Sequence, residues 1–169
     1  MAPIIFITGG ARSGKSTRAE ARIREFGGPR VYIATSRPED DEMRARIAAH
    51  VAQRGPGWRT VEEPLDLPGA LRDTDGDGGP CLVDCLTLWL SNLMWAKRDW
   101  AANVAALEVA LEARQNPVVL VSNEVGMGIV PENALARAFR DAQGRLNQRI
   151  AACADEVELV VSGLPLRVK

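Results

Sequence analysis

Short β-branched apolar runs alternate with amphipathic segments along this chain. The runs predict buried strands at residues 4–8, 31–35, 58–62, 81–84, 118–121 and 157–161. Apolar side chains at helical spacing predict helices at residues 16–23, 39–54, 86–94 and 99–114, and over a long segment after Glu132. Strands that alternate with helices predict an α/β fold, with a mostly parallel sheet covered by helices on both faces.

Composition and charge narrow the class of protein. The 169 residues predict one domain over 1–169, and the net charge of −1 offers no basic excess for nucleic acid or an anionic membrane. No signal peptide is recognised, and no apolar run approaches the roughly 18 residues of a membrane span. Three cysteines without a C-x-x-C pair and a single histidine argue against a zinc site. Reduced thiols predict a cytoplasmic protein.

The first strand leads into a glycine-rich segment that fits G-x-x-x-x-G-K-[ST], the phosphate-binding P-loop. Its residues are Gly9, Gly10, Ala11, Arg12, Ser13, Gly14, Lys15 and Ser16. Glycines allow backbone N–H groups to approach a polyphosphate, Lys15 can reach the β and γ phosphates, and the Ser16 hydroxyl can bind Mg²⁺. The strand before it and the helix after it favour this interpretation over a glycine-rich turn without a ligand.

Acidic residues follow two other predicted strands. Asp84 has the position of a carboxylate that holds Mg²⁺ in P-loop proteins, although aspartates also cap strand ends. Glu124 could activate a hydroxyl or bind metal, or it could be a solvated acid. One face of the long helix carries four arginines, namely Arg137, Arg140, Arg145 and Arg149. The pattern leaves open whether this face is solvated or binds phosphate.

Residues 73–78 place acids at alternate positions with glycine sixth, as a calcium loop does. The twelfth position is Asp84 instead of glutamate, and Pro80 with an apolar strand stands where an exiting helix belongs. We therefore predict an acidic surface turn over residues 73–79.

His50 borders the apolar face of its predicted helix, three residues after Ile47 and seven after Met43. It could be a structural histidine satisfied by a hydrogen bond. An imidazole beside a bound nucleotide could instead attack phosphorus and form a covalent intermediate. The pattern alone leaves both interpretations open.

These motifs together resemble a known family, the bifunctional adenosylcobinamide kinase/adenosylcobinamide-phosphate guanylyltransferases of cobalamin biosynthesis. The similar segments cover nearly the whole chain: GGARSGKS at 9–16, YIATS at 32–36, DDEMRARIAAH at 40–50, VDCLTLWLSNLM at 83–94, NEVGMGIVPEN at 123–133 and ADEVELVVSGLPL at 154–166. The P-loop is shared by many proteins, whereas the segment before His50 and the loop after Asn123 are far more specific.

The resemblance implies a RecA-like P-loop fold, a homotrimer and two reactions. ATP or GTP phosphorylates adenosylcobinamide, and GTP then transfers GMP to that phosphate, with His50 as the covalent carrier and Lys15 as a second catalytic residue. It also implies a set of nucleotide-binding residues besides the P-loop, namely Ala34, Thr35, Ser36, Val51, Ala52, Gln53, Arg54, Glu62 and Asp84. Mg²⁺ would be held by Ser16 and Asp84. We expect Trp89, Trp95 and Trp100 to contribute to the subunit interface.

Two other functions remain alternatives at this point. One is a simple P-loop kinase of a small molecule, in which His50 is structural. The other is a nucleotide-binding switch or motor, against which the lack of a basic surface and of a second domain argues. Nucleotide preference in the kinase step and the corrinoid-binding residues are not predicted.

Overall fold

A computed structural model describes residues 2–37, 54–76 and 78–169. Its described strands form one seven-stranded sheet in the order β3-β2-β4-β5-β1-β6-β7. All neighbouring strands are parallel except β6 and β7. The strands are β1 (Ile4–Gly9), β2 (Arg30–Ala34), β3 (Trp58–Glu62), β4 (Cys81–Asp84), β5 (Val118–Asn123), β6 (Glu156–Val161) and β7 (Leu164–Arg167).

Five helices lie in the described ranges: α1 (Lys15–Arg24), α2 (Leu67–Asp75), α3 (Leu86–Trp95), α4 (Trp100–Ala113) and α5 (Ala134–Cys153). Three of them begin at a side-chain cap, because a carboxylate or amide oxygen accepts the free N–H groups of a first helical turn. The capping residues are Asp66, Asp99 and Asn133. Each cap accounts for where its helix starts.

The two faces of the sheet carry separate apolar clusters. On one face, alternate strand residues such as Phe6 and Leu120 pack with apolar side chains of α2, α3, α4 and α5. On the other face, Ile5, Ile7, Val119 and Val121 pack with Ala19 and Ile23 of α1. Helices therefore cover both faces, and the predicted fold class, a RecA-like mostly parallel α/β sheet, is confirmed.

The structure corrects the prediction at the carboxyl-terminal end. Residues 157–161 were expected to close the fold, yet β7 follows as an antiparallel edge strand. Its four residues are exposed, so the sequence pattern lacks the apolar run that marks a buried strand.

The acidic turn predicted over residues 73–79 is also partly wrong, because Asp73 to Asp75 belong to the end of α2. The Asp75 carboxylate accepts hydrogen bonds from the backbone N–H groups of Gln115 and Asn116, at 2.9 and 3.0 Å. These bonds lower the pKa of Asp75 even though burial opposes the shift. Asp75 thus joins α2 to the segment before β5, while Asp77 lies outside the described residues.

Trp89 was expected near the surface, but it is fully buried between the sheet and its helices. Its indole N–H donates to the carbonyl of Leu65 at 2.9 Å. Trp100 is partly buried against the same core, whereas Trp95 is 81% exposed. The predicted helix over 39–54 lies outside the described residues except for Arg54. Within the described ranges, no helix is both long and apolar enough to cross a bilayer.

Candidate nucleotide-binding site

The segment between β1 and α1 has the backbone geometry of a phosphate cradle. Gly14 precedes α1 with a φ of 94°, and no side chain caps the helix, so its first-turn N–H groups are open to an anion. A Cβ on Gly9 would lie 2.5 Å from the carbonyl oxygen of Val160 and 2.6 Å from the Ser13 hydroxyl. Both glycines are therefore required by the turn itself.

The turn between β6 and β7 supports this loop from outside. The backbone N–H of Gly163 donates to the carbonyl of Ser13 at 2.8 Å. Gly163 approaches so closely that its Cα would lie 3.1 Å from a Cβ on Gly14. The edge strand that the sequence did not predict thus contributes to the P-loop conformation.

Lys15 and Ser16 begin α1 and are both half-buried at the edge of the loop. The Lys15 ammonium donates to the carbonyl of Gly10 at 3.1 Å, so it folds over the loop that would enclose the phosphates. The chemistry predicted for Lys15 is therefore compatible with its position.

Asp84 ends β4 on the α1 face of the sheet, because Leu82 two residues earlier packs in that cluster. The buried Tyr32 hydroxyl donates a hydrogen bond to this carboxylate. Burial and the charge of Asp84 raise the pKa of Tyr32 well above its ordinary value, so the phenol stays a donor. Tyr32 was not predicted as a site residue; it is the only tyrosine in the chain, at an inward strand position.

Arg54 lies against the other side of the same tyrosine. Its guanidinium carbon is 3.5 Å from the Tyr32 ring centroid, a cation–π distance, and the residue is buried. Because Tyr32 also bonds to Asp84, the structure groups two predicted nucleotide-binding residues around one aromatic ring. A guanidinium and a carboxylate are thereby held in one region of the site.

Thr35 connects the ends of β2 and β4. Its hydroxyl donates to the carbonyl of Cys85 at 2.7 Å and accepts from the Cys85 N–H at 3.0 Å. The side chain is fully buried, so it shapes the strand ends from within. Ala34 before it is buried, Ser36 after it is partly exposed, and Glu62 is exposed at the end of β3 opposite Ala34.

Glu124 follows β5 and lines a cavity of about 310 Å³ together with P-loop residues and Met127. Its carboxylate accepts from the N–H of Gly126 at 2.6 Å, so it also fixes the start of the glycine-containing loop. Of the four arginines on α5, Arg149 pairs with Glu108 of α4 and Arg137 donates to carbonyls of residues 131 and 132. These contacts hold the two guanidinium groups against neighbouring groups of the protein.

An oxygen-rich site for Mg²⁺ fits the residues present. The Ser16 hydroxyl and the Asp84 carboxylate are oxygen ligands of the kind Mg²⁺ prefers, and a nucleotide supplies further phosphate oxygens. In the part of the chain that the structure describes, no cluster of three acidic, cysteine or histidine side chains could hold a metal alone. His50, Val51, Ala52 and Gln53, which complete the predicted site, lie outside the described residues.

Comparisons with known proteins agree with the motifs. A family model described as cobinamide kinase / cobinamide phosphate guanyltransferase matches residues 5–168. The bifunctional adenosylcobalamin biosynthesis protein CobU of Salmonella typhimurium is 47% identical, with 98% of this chain and 99% of that protein covered. The protein of the same name from Escherichia coli is 43% identical over the same shares of both chains.

A third relative carries a different gene name but the same description. The bifunctional adenosylcobalamin biosynthesis protein CobP of Pseudomonas aeruginosa is 46% identical, with 96% of this chain and 95% of that protein covered. The similarity extends over both the P-loop and the carboxyl-terminal hairpin that supports it. The resemblance inferred from the motifs is confirmed, and the chain belongs to the family of bifunctional cobinamide kinases and cobinamide phosphate guanylyltransferases.

Proposed function

We propose that this enzyme phosphorylates adenosylcobinamide with ATP or GTP and then transfers GMP from GTP to the new phosphate, which yields adenosylcobinamide-GDP and pyrophosphate. The observation that carries the proposal is the cradle between β1 and α1, with Asp84 on the same face of the sheet. The family description and the names of the relatives supply the substrate class.

In the kinase step the P-loop would act by positioning and by charge. The backbone N–H groups after Gly14 and the Lys15 ammonium would face the place where negative charge accumulates on the leaving diphosphate. Such preorganised donors stabilise a transition state more than a ground state. Mg²⁺ bound by Ser16 and Asp84 would neutralise part of the phosphate charge.

In the guanylyl step we assign the nucleophile to His50. A nitrogen of its neutral imidazole forms a bond to the α phosphorus of GTP. The bond from that phosphorus to the α–β bridging oxygen breaks, and pyrophosphate leaves. A phosphate oxygen of the corrinoid then attacks the same phosphorus, and the P–N bond breaks to restore the imidazole. The predicted contacts from Ala34–Ser36, Val51–Arg54 and Glu62 would position this GTP.

The proposal also includes the oligomeric state of the protein and the compartment in which it works. We infer a homotrimer, since Trp95 is 81% exposed and borders an apolar cavity of about 420 Å³ between α3 and α5. An exposed tryptophan of this kind is more frequent at interfaces than on free surfaces. All three cysteines are free thiols, two of them buried, which suits a reducing cytoplasm.

Labelled GTP distinguishes the proposed reactions from the alternatives. With GTP labelled at the α phosphate, Mg²⁺ and no corrinoid, we expect label on the protein that survives alkali and is released by acid, as a phosphoramidate is. Label at the γ phosphate should not remain on the protein. In a second incubation with GTP and corrinoid, a simple kinase would give only a phosphorylated corrinoid, and a switch or motor would leave the corrinoid unchanged.

His50→Ala and His50→Asn should lose the α label and the guanylyl transfer but keep kinase activity, because γ-phosphoryl transfer needs no protein nucleophile. Asparagine keeps a polar group of similar size and is therefore the stricter control. Parental labelling of either variant would place the nucleophile at another residue.

A further inference from the structure

Four buried polar side chains meet around the last residue of β5. They are Thr87, Ser122, Gln143 and Asn147, from α3, β5 and α5, and none is more than 9% exposed. The Ser122 hydroxyl donates to the Asn147 side-chain oxygen at 2.7 Å and accepts from the Gln143 amide at 2.8 Å. Burial of so many polar groups is costly unless they bond to one another, and a bonded network is rigid.

The network holds the backbone of Asn123. The N–H of Asn123 donates to the Thr87 hydroxyl at 2.8 Å, and the carbonyl of Asn123 accepts from the Asn147 amide at 3.1 Å. On that side of β5 the neighbouring strand β4 has already ended, since Asp84 pairs with Val121. The buried side chains thus replace a missing strand and fix this one residue.

The rigidly held Asn123 lies next to the proposed nucleotide-binding site. In the sheet, β5 lies between β4, which carries Asp84, and β1, which leads into the P-loop. Asn123 pairs with Gly9, the first P-loop residue, and the N–H of the next residue donates to the Gly9 carbonyl at 3.0 Å. A group at the end of β5 therefore stands between the phosphate cradle and the proposed Mg²⁺ ligand.

The side chain of Asn123 lies on the face that the nucleotide would use. Val119 and Val121 pack in the cluster that includes α1, and strand alternation places residue 123 on that face too. Asp84 lies there by the same rule. The Asn123 carboxamide is partly exposed and makes no hydrogen bond to the part of the chain that the structure describes.

We propose that Asn123 is a catalytic residue of the kinase step, which binds the transferring γ-phosphoryl group through its amide and the attacking hydroxyl through its oxygen. In this step the alcohol oxygen forms a bond to the γ phosphorus, the bond to the β–γ bridging oxygen breaks, and its electron pair leaves on the nucleoside diphosphate. The alcohol proton goes to water. Thr87 and Asn147 are positioning residues, and the assignment rests on the proposed function.

The test measures kinase kcat and the KM for ATP with adenosylcobinamide as acceptor. Asn123→Ala should lower kcat about 100-fold, the effect of losing one oxyanion donor, with the KM for ATP nearly unchanged because the P-loop still binds the other phosphates. Asn123→Asp should lose at least as much, because a carboxylate repels the phosphoryl oxygens. Asn103→Ala, a change on α4 away from the sheet end, should match the parent.

Transfer of α label from GTP to the protein serves as the internal control, since the γ phosphate then leaves unreacted within pyrophosphate. The Asn123→Ala variant should keep the parental level of α label on the protein. Thr87→Val, which keeps the shape but removes the hydroxyl, should lower kinase kcat about tenfold, and Thr87→Ser should restore it.

Kinase kcat within about threefold of the parent in Asn123→Ala would overturn the assignment while the proposed function stands. Equal loss of kinase and labelling in that variant would also overturn it, since Asn123 would then act only in the scaffold. A parent chain without kinase activity would refute the proposed function and the assignment together.

Discussion

Both proposed reactions depend on Lys15, because each has a polyphosphate leaving group in the same cradle. The side chain bonds to the carbonyl of Gly10 and would exchange this contact for phosphate oxygens. We expect Lys15→Ala to lower both rates by about 10²–10³-fold, which corresponds to about 2.7–4 kcal/mol of transition-state stabilisation. Steady-state assays of kinase and guanylyl transfer measure this effect.

Ser16→Ala should also impair both reactions, since it removes a proposed Mg²⁺ ligand. Thr17→Ala is the matched control, because Thr17 is the neighbouring hydroxyl, is exposed and should leave both rates at the parental level. Near-normal rates for Lys15→Ala in folded protein would contradict the P-loop assignment.

Asp84 gives a prediction about metal dependence instead of rate. In Asp84→Asn the amide keeps the shape and one acceptor oxygen for Tyr32 but loses the charge that holds a hard cation. We therefore expect nucleotide binding to require more Mg²⁺, while the melting temperature changes little. Titration of nucleotide binding with Mg²⁺ measures it, and superimposable curves for variant and parent would make Asp84 a strand-end residue only.

At the scale of elements, α1 is held against β6 by an ion-pair cluster. Glu158, which is 4% exposed, accepts two hydrogen bonds from Arg18 at 2.7 and 2.8 Å and a further one from Arg22. The bonds from Arg18, followed by the one from Arg22, lower the pKa of Glu158, although burial acts in the opposite direction. The cluster thus fixes the helix whose first turn forms the cradle.

A lowered folded pKa stabilises the protein above the unfolded pKa, which is about 4.3 for glutamate. That contribution is lost as the pH falls from there through the lower folded pKa. We predict that the free energy of unfolding decreases on acidification below about pH 4.3 and that Glu158→Gln weakens this dependence. Urea denaturation at several pH values measures both.

Glu158→Gln should also lower stability near neutral pH by about 3 kcal/mol, the low end for breaking a buried pair, because Arg18 remains partly hydrated. Glu25→Gln is the control, since that residue is exposed and, among the residues that the structure describes, its carboxylate pairs with Arg22 across one helical turn. An equal loss in both variants would mean that Glu158 has no special role in holding α1.

At the scale of the whole molecule, the exposed apolar surface near α3 predicts assembly. Trp95, Met94, Leu135 and Phe139 line the cavity between α3 and α5, and Leu135 is 62% exposed. We expect light scattering at micromolar concentration to give three times the chain mass of 18.3 kDa. Trp95→Lys should shift the mass toward one chain, and Trp95→Phe should not; a monomeric parent would refute the trimer.

Local patterns along the chain identified most of the elements and the cradle. Apolar alternation and helical spacing depend only on neighbouring residues, so strands such as 118–121 and the helix after Glu132 were recognised without the fold. The P-loop is also a local signal, because its glycines, Lys15 and Ser16 are consecutive. The edge strand β7 and the hydrogen bonds from Gln115 and Asn116 to Asp75 carry no such signal, since the partners lie elsewhere in the chain.

The sequence by itself thus determined the α/β class, the P-loop and, through its motifs, the family. Only the tertiary structure decided that β5 lies between β4 and β1, that Tyr32 joins Asp84 to Arg54, and that Trp89 is buried while Trp95 is exposed. The physical reason is that periodicity records which face of an element is apolar, whereas strand order and register record which distant element covers it. Asn123 gained its proposed role from that second kind of information alone.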